Sequence, residues 1–336
     1  MPVIGTNWSY RMLLGSWILL LLLRHSAVRG ASWTYTGHHG QEHWSDSFPD
    51  CSGKAQSPIN IKTSNVSYDD SLPPIQPVGY SMPGSTPFTL LNNGHTVQLS
   101  LPPTMRLRGL PNNYTAVQLH LHWGSEAHPG GSEHTINKQV YPGELHIVHY
   151  NSDRFTDINQ AKDRMNGLAV LGILIAVGPS ENPAYANIIN NLQNISFAEQ
   201  SVGVPSFSVK ELLPNSLDKY YRYSGSLTTP PCYQSVTWTV FSDPVHISQS
   251  QMQKLRTALH STPESTSPAL LQDNVRDVQP VNQRTVYSSF VVQEALSVGV
   301  VLAIVFGVIG GLLLISVALY FVIMVIRRPN SHIGKV

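Results

Sequence analysis

A mainly β domain with short helices, carrying an apolar segment at each end of the chain, is the architecture this sequence predicts. Three observations carry the expectation. Segments rich in Val, Leu and His are short, 24 glycines and 24 prolines punctuate the connections, and the apolar runs longer than a strand lie at the two ends.

Taken in order, the first element is the run Met12–Leu23, behind Arg11 and ahead of the polar stretch Arg24–Gly30. It reads as a secretory signal peptide over residues 1–30, because the run is too short to cross about 30 Å of hydrocarbon. Residues 31–290 then read as one large domain without internal repeats. Val117–Trp123, Glu144–Tyr150, Leu168–Val177 and Ser235–Phe241 are the clearest strands, the third apolar enough to be buried on both faces. Asn182 ahead of Pro183 starts a helix whose apolar face is Tyr185, Ile188, Ile189 and Leu192. Ser248 and Gln251 form a capping box ahead of Met252, Leu255 and Leu259. The Ser/Thr/Pro-rich stretch Ser261–Pro268 reads as a loop.

After a juxtamembrane linker, residues 291–294, the run Ala295–Ile326 is long enough to span a bilayer with tilt. Arg327 and Arg328 follow at once, as expected at the start of a cytoplasmic tail, residues 327–336. The alternative is a lipid-anchor signal, but such signals usually end in their apolar run. Gly299, Ala303, Gly307 and Gly311 recur every fourth residue along this span, a spacing that permits close helix–helix approach and hence a homodimer.

Charge is nearly balanced, 21 Lys+Arg against 20 Asp+Glu with no basic block, so nucleic acid is not an expected partner. The only two cysteines, Cys51 and Cys232, would meet an oxidising lumen, which favours a disulfide over two free buried thiols. Asn65, Asn113 and Asn194 head glycosylation sequons; Asn7 does too, but is lost with the signal.

The chemistry concentrates in Gln118-Leu119-His120-Leu121-His122-Trp123-Gly124. On a strand, residues i and i+2 share a face, so His120 and His122 project together. Glu144-Leu145-His146 offers a third imidazole on a second strand. Three neutral imidazoles leave one tetrahedral position of Zn²⁺ open, the catalytic rather than the structural arrangement. Gln118 and Glu144, each two residues before a candidate ligand, share its face and are placed to accept its outer N–H. Taken alone, H-x-H is a weak signal, and two histidines on one strand face are more often incidental.

The longer pattern is more specific. Gln56-Ser57-Pro58-Ile59-Asn60-Ile61, Asn92-Asn93-Gly94-His95, the H-x-H-W-G segment, Gly131-Ser132-Glu133-His134-Thr135, Glu144-Leu145-His146 and Gly225-Ser226-Leu227-Thr228-Thr229-Pro230-Pro231 occur in order between about Trp33 and Phe290. In these the chain resembles the α-carbonic anhydrases, and with its signal, cysteines and C-terminal span it looks like their single-pass membrane isoenzymes, the twelve and fourteen group. The resemblance implies reversible hydration of CO₂ by a zinc hydroxide at the outer face of the plasma membrane. It also implies a large, twisted, mostly antiparallel sheet with the zinc in a conical cleft. It further implies Thr228 as acceptor from the zinc hydroxide and Glu133 as acceptor from Thr228, Thr229 in bicarbonate binding, and Val148, Val170, Leu227 and Trp238 as the CO₂ wall. His95 is implied as proton shuttle, with Tyr35, Asn93 and Gln98 ordering the intervening waters.

Other histidines have blander readings. His149, three residues from His146, faces the other side of its strand, and His134 with it reads as a hydrogen-bonded core residue. His38, His39 and His43 are solvated, or line the rim as secondary proton carriers. A non-catalytic binding domain of the same fold would be expected to lack one or more of the ligands present here, and no H-E-x-x-H motif supports a zinc protease.

Overall fold

The computed structural model describes residues 32–81, 84–292 and 298–327. The signal-peptide reading, part of the linker and the tail beyond Arg327 lie outside the described residues.

Short segments rich in apolar residues, the central ones buried on both faces, build one 13-stranded sheet among the described residues. Its main path runs Ser201–Val204, Phe88–Asn92, Val97–Ser100, Tyr114–Trp123, Gly143–Asn151, Leu168–Gly178, Val236–Phe241, Tyr220–Gly225, Tyr287–Ser288 and Ser67–Tyr68. The sheet is mixed. Leu168–Gly178 pairs parallel with both Val236–Phe241 and Val245–Ser248, and Tyr287–Ser288 pairs parallel with Ser67–Tyr68. The strands that carry the candidate ligands are antiparallel.

A β-bulge sets the phase of that central pair. Ala116 lies opposite His149, but two residues on Gln118 lies opposite Val148, so Val117 is the extra residue. Beyond it Gln118 faces Val148, His120 faces His146 and His122 faces Glu144. Continued without the bulge, the first register would set His120 opposite Leu145 and His146 opposite Leu119, on different faces of the sheet.

The two faces bury separate apolar layers. Leu119, Leu121, Leu145, Ile147, Leu171 and Ile173 belong to the larger one, packed beneath Tyr185, Ile188, Ile189 and Met252 from the helices. Val148, Val170 and Trp238 belong to the other, on the histidine face. Both expected helices form. Pro183–Ile189 is capped by Asn182, which accepts from Ala184 N, and Gln249–Thr257 has its capping box closed in both directions. Leu192 falls in the 3₁₀ turn that follows the first of these.

Cys51 and Cys232, 181 residues apart, form a disulfide. In the chain-entropy picture a loop of that size stabilises the fold by up to about 5 kcal/mol. The C-terminal helix spans Val298–Ile326, and Leu302–Ile326 is long and apolar enough to cross a membrane. Gly307 and Gly311 have open space where a Cβ would stand. Asn65, Asn113 and Asn194 are exposed.

Candidate metal centre and its surroundings

His120, His122 and His146 come together, each offering a nitrogen within 4.8 Å of the others. What fixes them is the hydrogen bonding of their outer nitrogens. His120 Nδ1 donates to Gln118 Oε1 at 2.9 Å, His122 Nδ1 to the Asn274 carbonyl at 2.7 Å and His146 Nε2 to Glu144 Oε1 at 2.8 Å. With those protons committed outward, the inner nitrogen of every ring is a bare lone pair. Two of them, His122 Nε2 and His146 Nδ1, stand 3.1 Å apart. Facing lone pairs at that distance repel, and a cation between them removes the repulsion.

Charge state points the same way. Burial, then the neighbouring His122 and His146, push the His120 pKa well below the ordinary imidazole value. Burial lowers that of His122 as well, against the opposing pull of the Glu133 charge. Neutral imidazole is the form that donates to a metal.

Glu144 is the hub of the support. Its Oε1 also accepts from His134 Nδ1 and its Oε2 from the His134 backbone N–H, both at 2.7 Å. Burial by itself would raise its pKa, but His134 and His146 hold the carboxyl well below the carboxylate range. His134 Nε2 meets Tyr223 Oη at 2.6 Å, and Tyr223 donates to Ser57 Oγ at 2.9 Å. His134 is therefore a buried core residue, as expected, and through Glu144 it also steadies His146. His149 is on the far face, bonded to the Ala169 carbonyl and Tyr80 Oη.

Glu133 Oε1 accepts from Arg276 N at 2.9 Å, whereas Oε2 is buried without a hydrogen-bond partner among the described residues. That orphan oxygen lies 3.4 Å from His122 Nε2 and 3.8 Å from His146 Nδ1. A buried carboxylate oxygen left bare costs several kcal/mol, so its place beside two of the inner lone pairs fits a centre completed by a cation and a hydroxyl donor. Thr228 is buried and Thr229 half-buried, but no Thr228–Glu133 hydrogen bond is closed among the described residues.

Val148, Val170 and Trp238 lie in register across three adjacent strands, all 4 % exposed or less, with Leu227 packed against the same layer. The Trp238 ring is 4.8 Å from that of His146, so this dry row borders the imidazoles. His95 follows Gly94, whose φ of +82° suits glycine. Asn93 Oδ1 accepts from His95 N and Thr96 N, both at 2.9 Å, and so shapes the turn that presents the imidazole. The His95 ring is stacked on Trp33, centroids 3.9 Å apart and planes 9° apart, and burial lowers its pKa. Tyr35 packs at 5.3 Å against Trp33; burial and then the Glu133 charge raise its pKa well above the usual phenol value. Gln98 pairs across the sheet with His120. His38, His39 and His43 are exposed, His43 lying 3.4 Å from Asp46.

Residues 39–290 match the eukaryotic-type carbonic anhydrase family. The chain belongs to that family. It is 44 % identical to human carbonic anhydrase 12 over 325 residues, 94 % of this chain and 92 % of that one. It is 40 % identical to human carbonic anhydrase 6 over 279 residues (82 % and 89 %) and to the bovine carbonic anhydrase 6 over 278 residues (81 % and 85 %). With the histidine centre in place, this chain is an enzyme, a carbonic anhydrase.

Two residues of this carbonic anhydrase's centre escape sequence reasoning. Asn274 orients His122 with its backbone carbonyl, accepts from Trp123 N and donates to the His95 and Leu121 carbonyls. Arg276 anchors Glu133 through its N–H and reaches Gln56, Ser57 and Cys51 with its guanidinium. A carbonyl belongs to every residue type, so nothing in the chain's spelling marks Asn274. Arg276, between Asp273 and Asp277, offered only a charge like any other in the chain.

Proposed function

We propose that this enzyme reversibly hydrates CO₂ to bicarbonate and a proton with zinc held by His120, His122 and His146, at the extracellular face of the plasma membrane. The observation that carries the reading is the set of three inner lone pairs, each enforced by an outer hydrogen bond, beside the orphan Glu133 oxygen and the dry Val148–Val170–Trp238 row. Bound there, zinc supplies Lewis acidity that lowers the pKa of a coordinated water to about 7, as carbonic anhydrase itself exemplifies.

Gln118, Glu144 and the Asn274 carbonyl hold the imidazole tautomers. Val148, Val170, Leu227 and Trp238 receive apolar CO₂ and exclude water from it. The Thr228 hydroxyl donates to Glu133 Oε2 and thereby keeps its own lone pair turned to the reacting oxygen, while Thr229 holds bicarbonate. His95 carries the proton out along waters ordered by Tyr35, Asn93 and Gln98.

Residues 1–30 direct secretion, 31–290 form the catalytic domain, 291–294 link it to a single-pass helix at 295–326, and 327–336 are cytoplasmic. Glycans on Asn65, Asn113 and Asn194 and the disulfide suit the outer location. Gly299, Ala303, Gly307 and Gly311 form a self-association stripe in the membrane. Unchanged cross-linking yield in a Gly307→Leu/Gly311→Leu variant would remove that last element.

Stopped-flow assay of the zinc-loaded full chain is expected to show CO₂ hydration that disappears on chelation and is blocked by an aromatic sulfonamide. A membrane-impermeant sulfonamide is expected to block it on intact cells. A zinc-replete, disulfide-bonded sample without hydration activity overturns the reading.

A further inference from the structure

On the face of the sheet opposite the histidines lies a cleft of about 460 Å³, lined by Arg222, Arg284, Tyr114, Thr237, Asn112 and Asp69 among others. Arg222 projects there because strand alternation turns it away from Tyr223 and Trp238; it faces Thr239 and Tyr287 on the neighbouring strands. The residue is only 8 % exposed. Its Nε donates to Thr239 Oγ1 at 3.1 Å, and the guanidinium covers the Tyr220 ring at 5.0 Å. Its Nη2 is buried with no hydrogen-bond partner among the described residues.

Arg284 brings a second positive charge, with Nε, Nη1 and Nη2 all spent on backbone carbonyls. Among the described residues neither arginine has an ion-pair partner. Asp69, the carboxylate at the cleft, instead accepts from the Ser71 N–H and hydroxyl. A buried, desolvated cation without a counter-charge is costly, and an anion seated against the guanidinium offsets that cost. Tyr114, whose hydroxyl donates to the Asn166 carbonyl at 3.1 Å, Thr237 and Asn112 line the same space with neutral polar groups.

We infer that this cleft binds a planar oxyanion, a carboxylate or bicarbonate, on the Arg222 fork with help from Thr237 and Asn112. A flat, delocalised anion matches a guanidinium edge in a way that a spherical halide does not. The site is separate from the metal centre, and nothing in it depends on zinc chemistry.

The test uses the zinc-loaded full chain with its metal centre saturated by an aromatic sulfonamide, so that anions on zinc contribute nothing. Thermal unfolding is followed against sodium formate and, separately, sodium bicarbonate, at constant ionic strength set with a bulky sulfonate. Saturable stabilisation is expected in the wild type, with the half-saturating concentration raised about tenfold in Arg222→Met, the loss of a charge-assisted hydrogen bond. Response to formate alone identifies a carboxylate-bearing ligand; response to both admits the enzyme's own product. Retained sulfonamide binding reports that the variant is folded. Should Arg222→Met fail that control, Arg222→Lys and Thr237→Val are expected to weaken the response in its place. No stabilisation of the wild type by either anion, or an equal response in all folded variants, overturns the inference.

Discussion

Replacing Glu144 by Gln tests the hub of the metal centre. The carboxylate is fully buried and accepts three hydrogen bonds, at 2.7, 2.7 and 2.8 Å, from His134 N, His134 Nδ1 and His146 Nε2. An amide keeps one acceptor oxygen and turns the other position into a donor. With the oxygen kept at Oε1, both imidazoles retain their bonds but the new NH₂ confronts the His134 backbone N–H. With the amide reversed, His146 must move its proton to Nδ1, and its inner lone pair is gone.

The first arrangement loses one charge-assisted bond and leaves donors opposed, a cost of about 2–3 kcal/mol in folding stability. Either arrangement also removes the negative charge that makes His146 a more basic ligand. Zinc affinity is therefore expected to fall by about 10- to 100-fold, the range for losing such a supporting carboxylate. Competition with a chromophoric chelator measures the affinity, and denaturant unfolding of the metal-free protein measures the structural cost separately. A variant that loses stability yet keeps zinc affinity within about twofold of wild type would falsify the claim that Glu144 tunes the ligand rather than merely filling the core.

Three further outcomes follow from the structure. Trp33→Ala removes the ring stacked on His95, so the depressed His95 pKa is expected to rise toward the ordinary imidazole value; an imidazole proton titration that does not move contradicts this. His95→Ala in parallel should slow turnover at low buffer and recover with added imidazole. His149 is buried neutral with its pKa lowered to about 4. Since its unfolded value is about 6.5, the unfolded chain binds the extra proton first, so this contribution is full above about pH 6.5 and is lost as pH falls toward about 4. Between about pH 7 and pH 5 that amounts to about 2 kcal/mol, and His149→Gln should show a flatter stability profile by that amount in zinc-loaded protein; an unchanged profile excludes His149 as the source.

Much of the site was legible because its chemistry is local. His120 and His122 share a face by strand alternation alone, and Gln118 and Glu144 fall two residues before their partners, where the structure finds them bonded. The capped helices were legible for the same reason, since Asn182 and Ser248 act on N–H groups two and three residues away. His134 was half legible. Burial was expected, but its bonds to Glu144 and Tyr223 join segments that only folding brings together. The sheet was read as mostly antiparallel, and its parallel pairings around Leu168–Gly178 depend on connections of many residues that no local pattern records.

By itself the sequence determined the kind of chemistry this protein does: three imidazoles with acceptors at fixed offsets, a set of family motifs in order, and apolar segments at both chain ends. Side-chain identity and i, i+2 geometry are local properties, and they suffice for that. The tertiary structure alone decided whether the three imidazoles meet. That rests on the single bulge residue Val117, which brings the His120 strand into phase with His146, and on the Asn274 carbonyl arriving from the far end of the domain to turn His122 inward. Register and backbone approach are set by the packing of the whole sheet, and a one-residue slip in that packing would leave the same ligands on opposite faces.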